Sequence, residues 1–565
     1  MNIKEIRIKK KLTQQQCADY LTISRRSYQN LESPDVDTTT EKYKYYCYEL
    51  ENYDGFEFLL KTNAIYGEPL ERYRDSVKNY KKRFCYKYLL DFIKSDIKGK
   101  ICILYGLRRT GKTTLLFQLL NELDLKEVAY IKICDTDDMA MLVKDLKNLY
   151  EMGIRYAFID EITLMEDFIG SAATLSDVFS FMGMKIILSG TDSLGFAFAD
   201  RDELYDRNVM IHTTYISFKE FNYILNIKDI DSYIEYGGTF KVENMTFNDP
   251  DYKNDEVSFA NNESTRKYID TAISRNIQNS LKNNELNSSF AYLKALYEKN
   301  ELTNAINRII EDMNHDFLVS VITRKFKSHD LGSSKQMLLK KENTSLYEID
   351  EEKVLSSLKN ILDIKEKDEL SVLINDNVIN QIKEYLYKLD LIRDVEIRYE
   401  NGQKEKRVVF IQPGMRYSIT KALVFSLLND EYFSSLSEAN KNYIVETILN
   451  DVKGRMLEDI VLLETTLKTS GNDLAFKYVT FTNGEFDLVK YYAKTNTFDA
   501  YEIKHSNEIS FDNQTKFLRN DSLIQSAERL YGQISNKYVL YRGESTTIDN
   551  IQYLNVEEYL TNINN

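Results

Sequence analysis

The sequence predicts a multidomain α/β protein: an all-α module at the N terminus, a parallel-sheet domain with helices after it in the middle, and a second α/β module at the C terminus. Three observations lead there. The apolar run Ile101 to Tyr105 meets Gly106, Gly111, Lys112 and Thr113 and then the LeuLeuPheGlnLeuLeu run of a helix, which is the strand, turn and helix that open a parallel α/β domain. Residues 1–32 read as two short helices joined by a tight turn. Residues 454–541 run helix, alternating strands, helix, strand. At 565 residues, roughly three to five domains are expected.

Composition narrows the class. Apolar residues at 43% and charged residues at 29% are ordinary for a soluble protein, and no run approaches the ~18 apolar residues of a membrane span. The start MetAsnIleLysGlu lacks a charged-then-apolar secretory layout, so a cytoplasmic protein without membrane contact is expected. Cys17, Cys47, Cys85, Cys102 and Cys134 include no C-x-x-C pair and no neighbouring histidine, which points to reduced core residues. A net charge of −14 argues against coating nucleic acid over the whole surface and leaves local basic faces open.

One such face opens the chain. Residues 1–32 hold seven Lys or Arg against three acids. Thr13 with Gln16 forms a capping-box pattern and Ser24 a second N-cap. The second helix presents Arg25, Arg26, Ser27 and Gln29, and Gln15 stands near the start of the first; these residue types contact phosphates and base edges in a major groove. The string from Ile3 to Glu32 resembles the repressor-type helix-turn-helix of the XRE family, with Ala18 at its small-residue position, Leu31 and Glu32 closing the recognition helix, and Thr22 where glycine is common. The resemblance implies a DNA-binding helix-turn-helix over residues 1–66, closed by a helix over TyrLysTyrTyrCysTyrGluLeu. Residues 67–99 form a connector. Its Tyr80 to Ile97 stretch is expected to be a helix packed on the nucleotide domain, with tyrosines as half-buried packing.

The pattern G-x-x-x-x-G-K-[ST] at 106–113 is a phosphate cradle. Glycines let backbone N–H groups close around phosphates, the helix N-terminus adds partial positive charge, Lys112 reaches the outer phosphates and Thr113 ligates Mg²⁺. Arg109, Thr110 and Thr114 complete it. Further strands are expected at 127–134, 155–160 and 185–189. The third ends in Asp160, placed to hold Mg²⁺ through water, and Glu161, placed to orient or deprotonate the attacking water. The fourth ends near Ser189 and Thr191, candidate sensors of the γ-phosphate. With no Asn/Thr-Lys-x-Asp motif, ATP is favoured over GTP, bound at the carboxyl ends of a parallel sheet.

GlyLeuArgArgThrGlyLysThr, PheIleAspGluIle, LeuSerGlyThrAspSer, the 207–221 stretch and TyrIleGluTyrGlyGly occur in that order. They resemble a prokaryotic AAA-type family of the STAND-related P-loop ATPases. The resemblance implies an ATPase core over 100–225 and homo-oligomers through it. It puts Arg207 where a family arginine follows the sensor strand, as an arginine finger across a subunit interface or as a structural ion-pair partner. A helical lid with an exposed insertion is expected over 226–345, the insertion at 239–264 and helices from 266 to 340. A winged-helix-like module over 346–430 includes a helix at 354–361 and a hairpin turning at Asn401-Gly402.

In residues 440–565, a helix at 454–462 carries Glu458, and two alternating strands carry Asp487, Glu502 and Lys504. Carboxylates and a lysine at adjacent strand ends can hold Mg²⁺ and activate water against a phosphodiester. The order Glu458, Asp487, Glu502-x-Lys504 resembles the PD-(D/E)XK nuclease core, with the three acids as metal ligands and Lys504 as the catalytic lysine. Together the resemblances imply an ATP-hydrolysing, DNA-associated protein, with an ATP-controlled, Mg²⁺-dependent nuclease serving in defence against foreign DNA. The alternatives are an ATP-gated DNA-binding regulator with an inert nuclease-like fold, and a protein-remodelling switch.

Overall fold

The computed structural model describes residues 2–10, 12–21, 23–53, 60–165, 168–191, 196, 206–240, 258–283, 290–327, 374–429, 434 and 437–563. Thr22, most of the 239–264 insertion, the lid beyond residue 327 and the helix at 354–361 lie outside the described residues.

The N-terminal unit has helices Ile3–Lys9, Gln14–Tyr20, Arg25–Leu31 and Glu41–Glu51. Thr13 and Gln16 exchange backbone and side-chain hydrogen bonds, and Ser24 accepts from the Ser27 amide. Ile3, Ile6, Leu12, Cys17, Tyr28 and Leu50 fill a core of the unit's own. Cys17 and Cys102 are buried, whereas Cys47, Cys85 and Cys134 are only half-buried, and all five are free thiols.

The first sheet contains β1 (Asn63–Tyr66), β2 (Ile101–Tyr105), β3 (Val128–Lys132), β4 (Tyr156–Asp160), β5 (Lys185–Gly190) and β6 (Asn208–His212). Their spatial order is β1-β3-β4-β5-β2-β6. All neighbours are parallel except β1, which runs antiparallel to β3. β1 departs from the expected boundary at residue 66, since residues 63–66 belong to this sheet. Lys61 N, Thr62 N and Thr62 Oγ1 all donate to buried Asp145, which fastens the chain over an edge that β3 would otherwise expose. The helix expected over 80–97 spans only Tyr86–Lys94, ending at an extended Ser95; before it, Arg83 forms a buried ion pair with Glu220. Together with helix Lys112–Leu119 it covers one face of the sheet, and helix Met139–Glu151 covers the other.

The second sheet contains β7 (Ile392–Tyr399), β8 (Lys404–Phe410), β9 (Leu474–Val479), β10 (Glu485–Tyr492), β11 (Thr497–Ile503), β12 (Gln533–Tyr541), β13 (Thr546–Ile548) and β14 (Ile551–Asn555), in the order β13-β14-β12-β11-β10-β9-β7-β8. The hairpin around Asn401 and Gly402 therefore does not build a separate winged-helix-like module over 346–430. β7 pairs in parallel with β9, Ile397 opposite Lys477, and the hairpin is the outer edge of the C-terminal sheet. The sequence hid this because the pairing strands lie on either side of the helix that joins them. That helix, expected at 454–462, runs from Glu438 to Lys468.

One continuous apolar core joins residues 216–234, the lid helices, helix Asp376–Lys388, helix Glu438–Lys468 and one face of the second sheet. A smaller core lies on the sheet's other face, under helix Asp521–Tyr531. Within the large core, Glu464 accepts from Phe218 N at 2.7 Å and so caps helix Phe218–Leu225. Burial lifts its carboxyl to about 7, although the Phe218 amide, the Tyr215 hydroxyl and the Lys468 charge each act to lower it. The folded chain thus holds this proton from the ordinary value of 4.5 up to about pH 7, so stability contributed by the protonated form is lost as pH rises through that window. Glu464→Gln is expected to abolish this fall, about 3 kcal/mol in all. Urea unfolding midpoints of both proteins, compared between about pH 5 and about pH 8, check it.

Candidate functional site

The cradle between β2 and helix Lys112–Leu119 is built by two left-handed backbone positions, Arg109 (φ 66°) and Gly111 (φ 85°), and by close packing at Gly106. A Cβ at Gly106 would lie 2.4 Å from Thr213 Oγ1 and 2.9 Å from Thr214 N, so only glycine lets β2 turn against the strand beside it. Lys112 Nζ donates to the carbonyls of Gly106 (2.8 Å) and Leu107 (3.0 Å), and burial lowers it to about 8. A buried ammonium of this kind is stabilised in its charged form by anions, which suits a phosphate partner.

Asp160 closes β4 with three hydroxyls around it. Thr113 Oγ1 and Tyr130 Oη each donate to Oδ2 at 2.9 Å, and Ser189 Oγ donates to Oδ1. Ser189 thereby holds one carboxylate oxygen of Asp160, and Thr113 and Tyr130 hold the other. Thr113 and Asp160 face each other across 2.9 Å, so the two oxygens expected to serve Mg²⁺, one directly and one through water, are together and fit that ion. Glu161 follows in a left-handed conformation, φ 59°, and burial raises its carboxyl, which strengthens it as a base. Thr114 is half-buried on the first helical turn.

Three expected cradle residues face elsewhere. Thr110 Oγ1 turns inward to Leu107 O and Thr213 Oγ1. Thr191 donates to Asn276 Oδ1 and its carbonyl accepts from Asn276 Nδ2, tying β5 to the lid. Arg109 Nη1 donates to Ser258 Oγ at 2.8 Å. Arg207 pairs with Asp177 at 3.4 Å and accepts from Ile101 N through its carbonyl. It thus stands at the amino end of β2, about five residues and ~16 Å from the cradle. The Arg207–Asp177 contact is an ion pair between two exposed side chains.

Arg83 was not legible as a site residue. It lies 6% exposed in an ion pair with Glu220, and its guanidinium donates to the carbonyls of Thr110, Thr213 and Tyr215. One side chain thereby pins the cradle, the end of β6 and helix Phe218–Leu225. The Glu220 within the PheLysGluPhe stretch was the available signal, since a carboxylate inside an apolar helix needs a cation.

In the N-terminal unit, Gln15, Arg25, Arg26, Ser27 and Gln29 are all exposed. Ser27 Oγ lies 2.8 Å from Ser24 Oγ and Gln29 Nε2 donates to Gln14, while Arg7 ion-pairs with Glu32 beneath them.

The C-terminal acids form a cluster that differs from the expected metal site. Alternation along β9 buries Phe476 and Tyr478 under helix Asp521–Tyr531 and turns Lys477 towards helix Glu438–Lys468. Alternation along β11 turns Glu502 to the opposite side from Tyr501 and Ile503. A break in register between Phe486 and Val489 lets Asp487 reach both ways. Its Oδ1 accepts from Lys477 Nζ (3.2 Å) and its Oδ2 from Ile503 N (3.0 Å), with Lys504 Nζ 3.6 Å away. Lys504 donates to Glu502 at 2.7 Å. Burial lifts Glu502 to about 8; the Glu502 and Asp487 charges raise Lys504 despite burial, which lowers it. Glu458, Asp487 and Glu502 are neighbours but do not converge on one point, and among the described residues no group of three His, Cys, Asp or Glu side chains could hold a metal ion. Lys477 and Glu485, which sequence reasoning missed, are the additional members: Lys477 Nζ also contacts Glu485 at 2.8 Å and Glu458 at 3.3 Å.

Residues 98–222 match the family model of an AAA domain, and the P-loop cradle lies within that match. An uncharacterized protein of Methanocaldococcus jannaschii is 26% identical over 156 residues, which cover 27% of this chain and 34% of that protein. The ORC1 protein of Aeropyrum pernix, solved in complex with DNA, is 13% identical with a TM-score of 0.21, over 66% of this chain and 95% of that one. No helix among the described residues is long and apolar enough to cross a membrane.

Arg83→Met leaves Glu220 buried without its cation, a change that costs about 3–5 kcal/mol, and frees the Thr110 carbonyl. We expect a lower melting temperature and ATP binding at least about tenfold weaker, with Arg83→Lys recovering only part because an ammonium cannot span the same acceptors. Thermal melts and titration with a fluorescent ATP analogue check both.

Proposed function

We propose that this chain binds and hydrolyses ATP with Mg²⁺, associates with DNA through its N-terminal unit, and uses ATP state to control a phosphodiester-cutting C-terminal domain in defence against foreign DNA. In the ATP site, Mg²⁺ held between Thr113 and Asp160 would neutralise phosphate charge. Lys112 positions the outer phosphates, and Glu161, with its raised carboxyl, takes the proton of the attacking water. The exposed Arg25, Arg26, Ser27 and Gln29 on one capped helix support DNA contact, and Gln15 adds to that face.

The observation that carries control of one site by the other is physical continuity. Helix Glu438–Lys468 brings Glu458 to the acidic cluster and Glu464 to the amide of Phe218 on the ATPase side. A second link runs through His505, the residue after Lys504: His505 Nε2 lies 2.6 Å from Asp231, which Arg542 also meets at 2.7 Å. Burial would raise Asp231, yet His505, Lys453 and Arg542 hold it at about 2.

A second reading, an ATP-gated DNA-binding regulator with an inert cluster, is favoured by one observation. Lys477 neutralises the carboxylates from within, and no metal step is derived for that cluster.

Cleavage of plasmid and linear DNA by the full chain, with Mg²⁺ or EDTA and with or without ATP, separates the readings. The first expects cleavage that requires Lys112 and vanishes in Asp487→Asn/Lys504→Ala; ATP hydrolysis over intact DNA, with retained operator affinity, selects the second. If the His505 link transmits control, Asp231→Asn keeps ATP hydrolysis within about twofold of wild type while cleavage ceases to respond to ATP; an unchanged ATP response places the coupling elsewhere.

A further inference from the structure

The ammonium of Lys477 occupies the centre of the acidic cluster. Its nitrogen lies 2.8 Å from Glu485, 3.2 Å from Asp487 and 3.3 Å from Glu458, and its side chain is 4% exposed. Three acceptors at these distances satisfy the three donors of an ammonium, whereas Mg²⁺ or Ca²⁺ needs oxygens at about 2.0–2.6 Å. As arranged, the oxygens fit a nitrogen cation and not a divalent ion. Arg455 adds a further cation on Glu458. Beyond Asp487, the cluster continues to Glu502, whose Oε1 is buried and accepts no hydrogen bond although Oε2 is held by Lys504. The site therefore combines an inserted cation on one side of Asp487 with an unused buried acceptor on the other.

We propose that Lys477 is a built-in cation standing where the cluster would hold a divalent ion, so that ammonium and metal are alternative occupants of the same carboxylates. The proposal rests on the reading of this domain as a phosphodiester-cutting fold. Burying Glu458, Glu485 and Asp487 together without a cation carries a large desolvation and repulsion cost, and a lysine on the adjacent strand meets that cost from within the chain. A divalent ion at those carboxylates would then compete with Lys477 for the same oxygens. Lys504, closer to solvent at 31% exposed, stays with Glu502 as the site's second ammonium.

The test is Mn²⁺ binding by the nucleotide-free full chain, followed by calorimetry and by the spin-resonance signal of free Mn²⁺. Asp487→Asn marks which binding belongs to this cluster. Lys477→Met is expected to bind Mn²⁺ at least about tenfold more tightly than wild type, and Lys477→Arg to stay near wild type because it keeps the cation. Lys477→Met should melt lower than wild type and regain that loss on adding Mn²⁺, which separates a vacated cation position from a misfolded chain. If wild type shows Asp487-dependent binding that Lys477→Met leaves equal or weaker, the inference is overturned while the reading of the domain stands. If neither wild type nor Lys477→Met shows Asp487-dependent binding, the metal-dependent reading fails and takes the inference with it.

Discussion

The structure beyond the first sheet depends on the burial of a single helix, Glu438–Lys468. At 31 residues it is ~46 Å long, and its apolar residues from Ile444 to Leu463 enter the largest core in the chain. Its polar residues are spent on joints. Lys453 meets Glu235 and Asp231, Glu458 meets Lys477, Asp459 meets Arg407 and Arg416, and Glu464 meets Phe218 N. A helix held at four places by three parts of the chain cannot shift at one joint without loading the others, because packed interiors do not deform freely.

Those joints also show how the chain handles buried carboxylates. Glu220 and Asp459 are matched by arginines, as a buried acid requires when few other donors surround it. Asp145 is met by backbone and hydroxyl donors of residues 61 and 62. Asp160 belongs to that second class, held by Thr113, Tyr130 and Ser189. Hydroxyls orient a carboxylate without cancelling its charge, so Asp160 can still attract a divalent ion. The C-terminal cluster is of the first class, with a lysine ammonium among its oxygens. The two sites hold similar acids in opposite electrostatic conditions.

Four of the five parallel strands of the first sheet were legible because each is short, apolar and followed by a helix or turn, so local pattern and fold agree; β6, AsnValMetIleHis, was not expected as a strand. β1 was not either: AsnAlaIleTyr is only four residues long, and its antiparallel register against β3 is what makes it a strand. The hairpin of β7 and β8 was legible from Asn401-Gly402, but its partner β9 lies on the far side of a helix, and sequence order carries no trace of such pairing. Glu161, Lys112 and Asp160 could be read from spacing because the chemistry fixes where they stand. Arg83 and Lys477 could not, since each is one basic residue among 74 Lys and Arg and only tertiary contact distinguishes it. Ser189, Thr110 and Thr191 each spend their hydroxyl on a protein partner: Asp160, Leu107 with Thr213, and Asn276. A short hydroxyl side chain serves whichever acceptor its backbone direction offers.

The path from cradle to cluster can be followed in bonds. Thr110 O and Thr213 O share the Arg83 guanidinium, which also grips Glu220 on helix Phe218–Leu225. That helix begins at an amide capped by Glu464, and Glu464 shares its helix with Glu458. A parallel path leaves the cradle through Arg108 O, which accepts from Tyr268, whose hydroxyl in turn accepts from Gln412 just beyond β8; β8 pairs with β7, and β7 with β9, the strand of Lys477. Both paths end on Lys477, one through Glu458 and one through its own strand. A displacement of the cradle lip would therefore reach the cation of the acidic cluster from two directions, whereas Glu502 and Lys504, on the other side of the register break at Asp487, connect to the ATPase side through His505 instead. The position of Asp487 between these two sets makes it the residue at which their movements would meet.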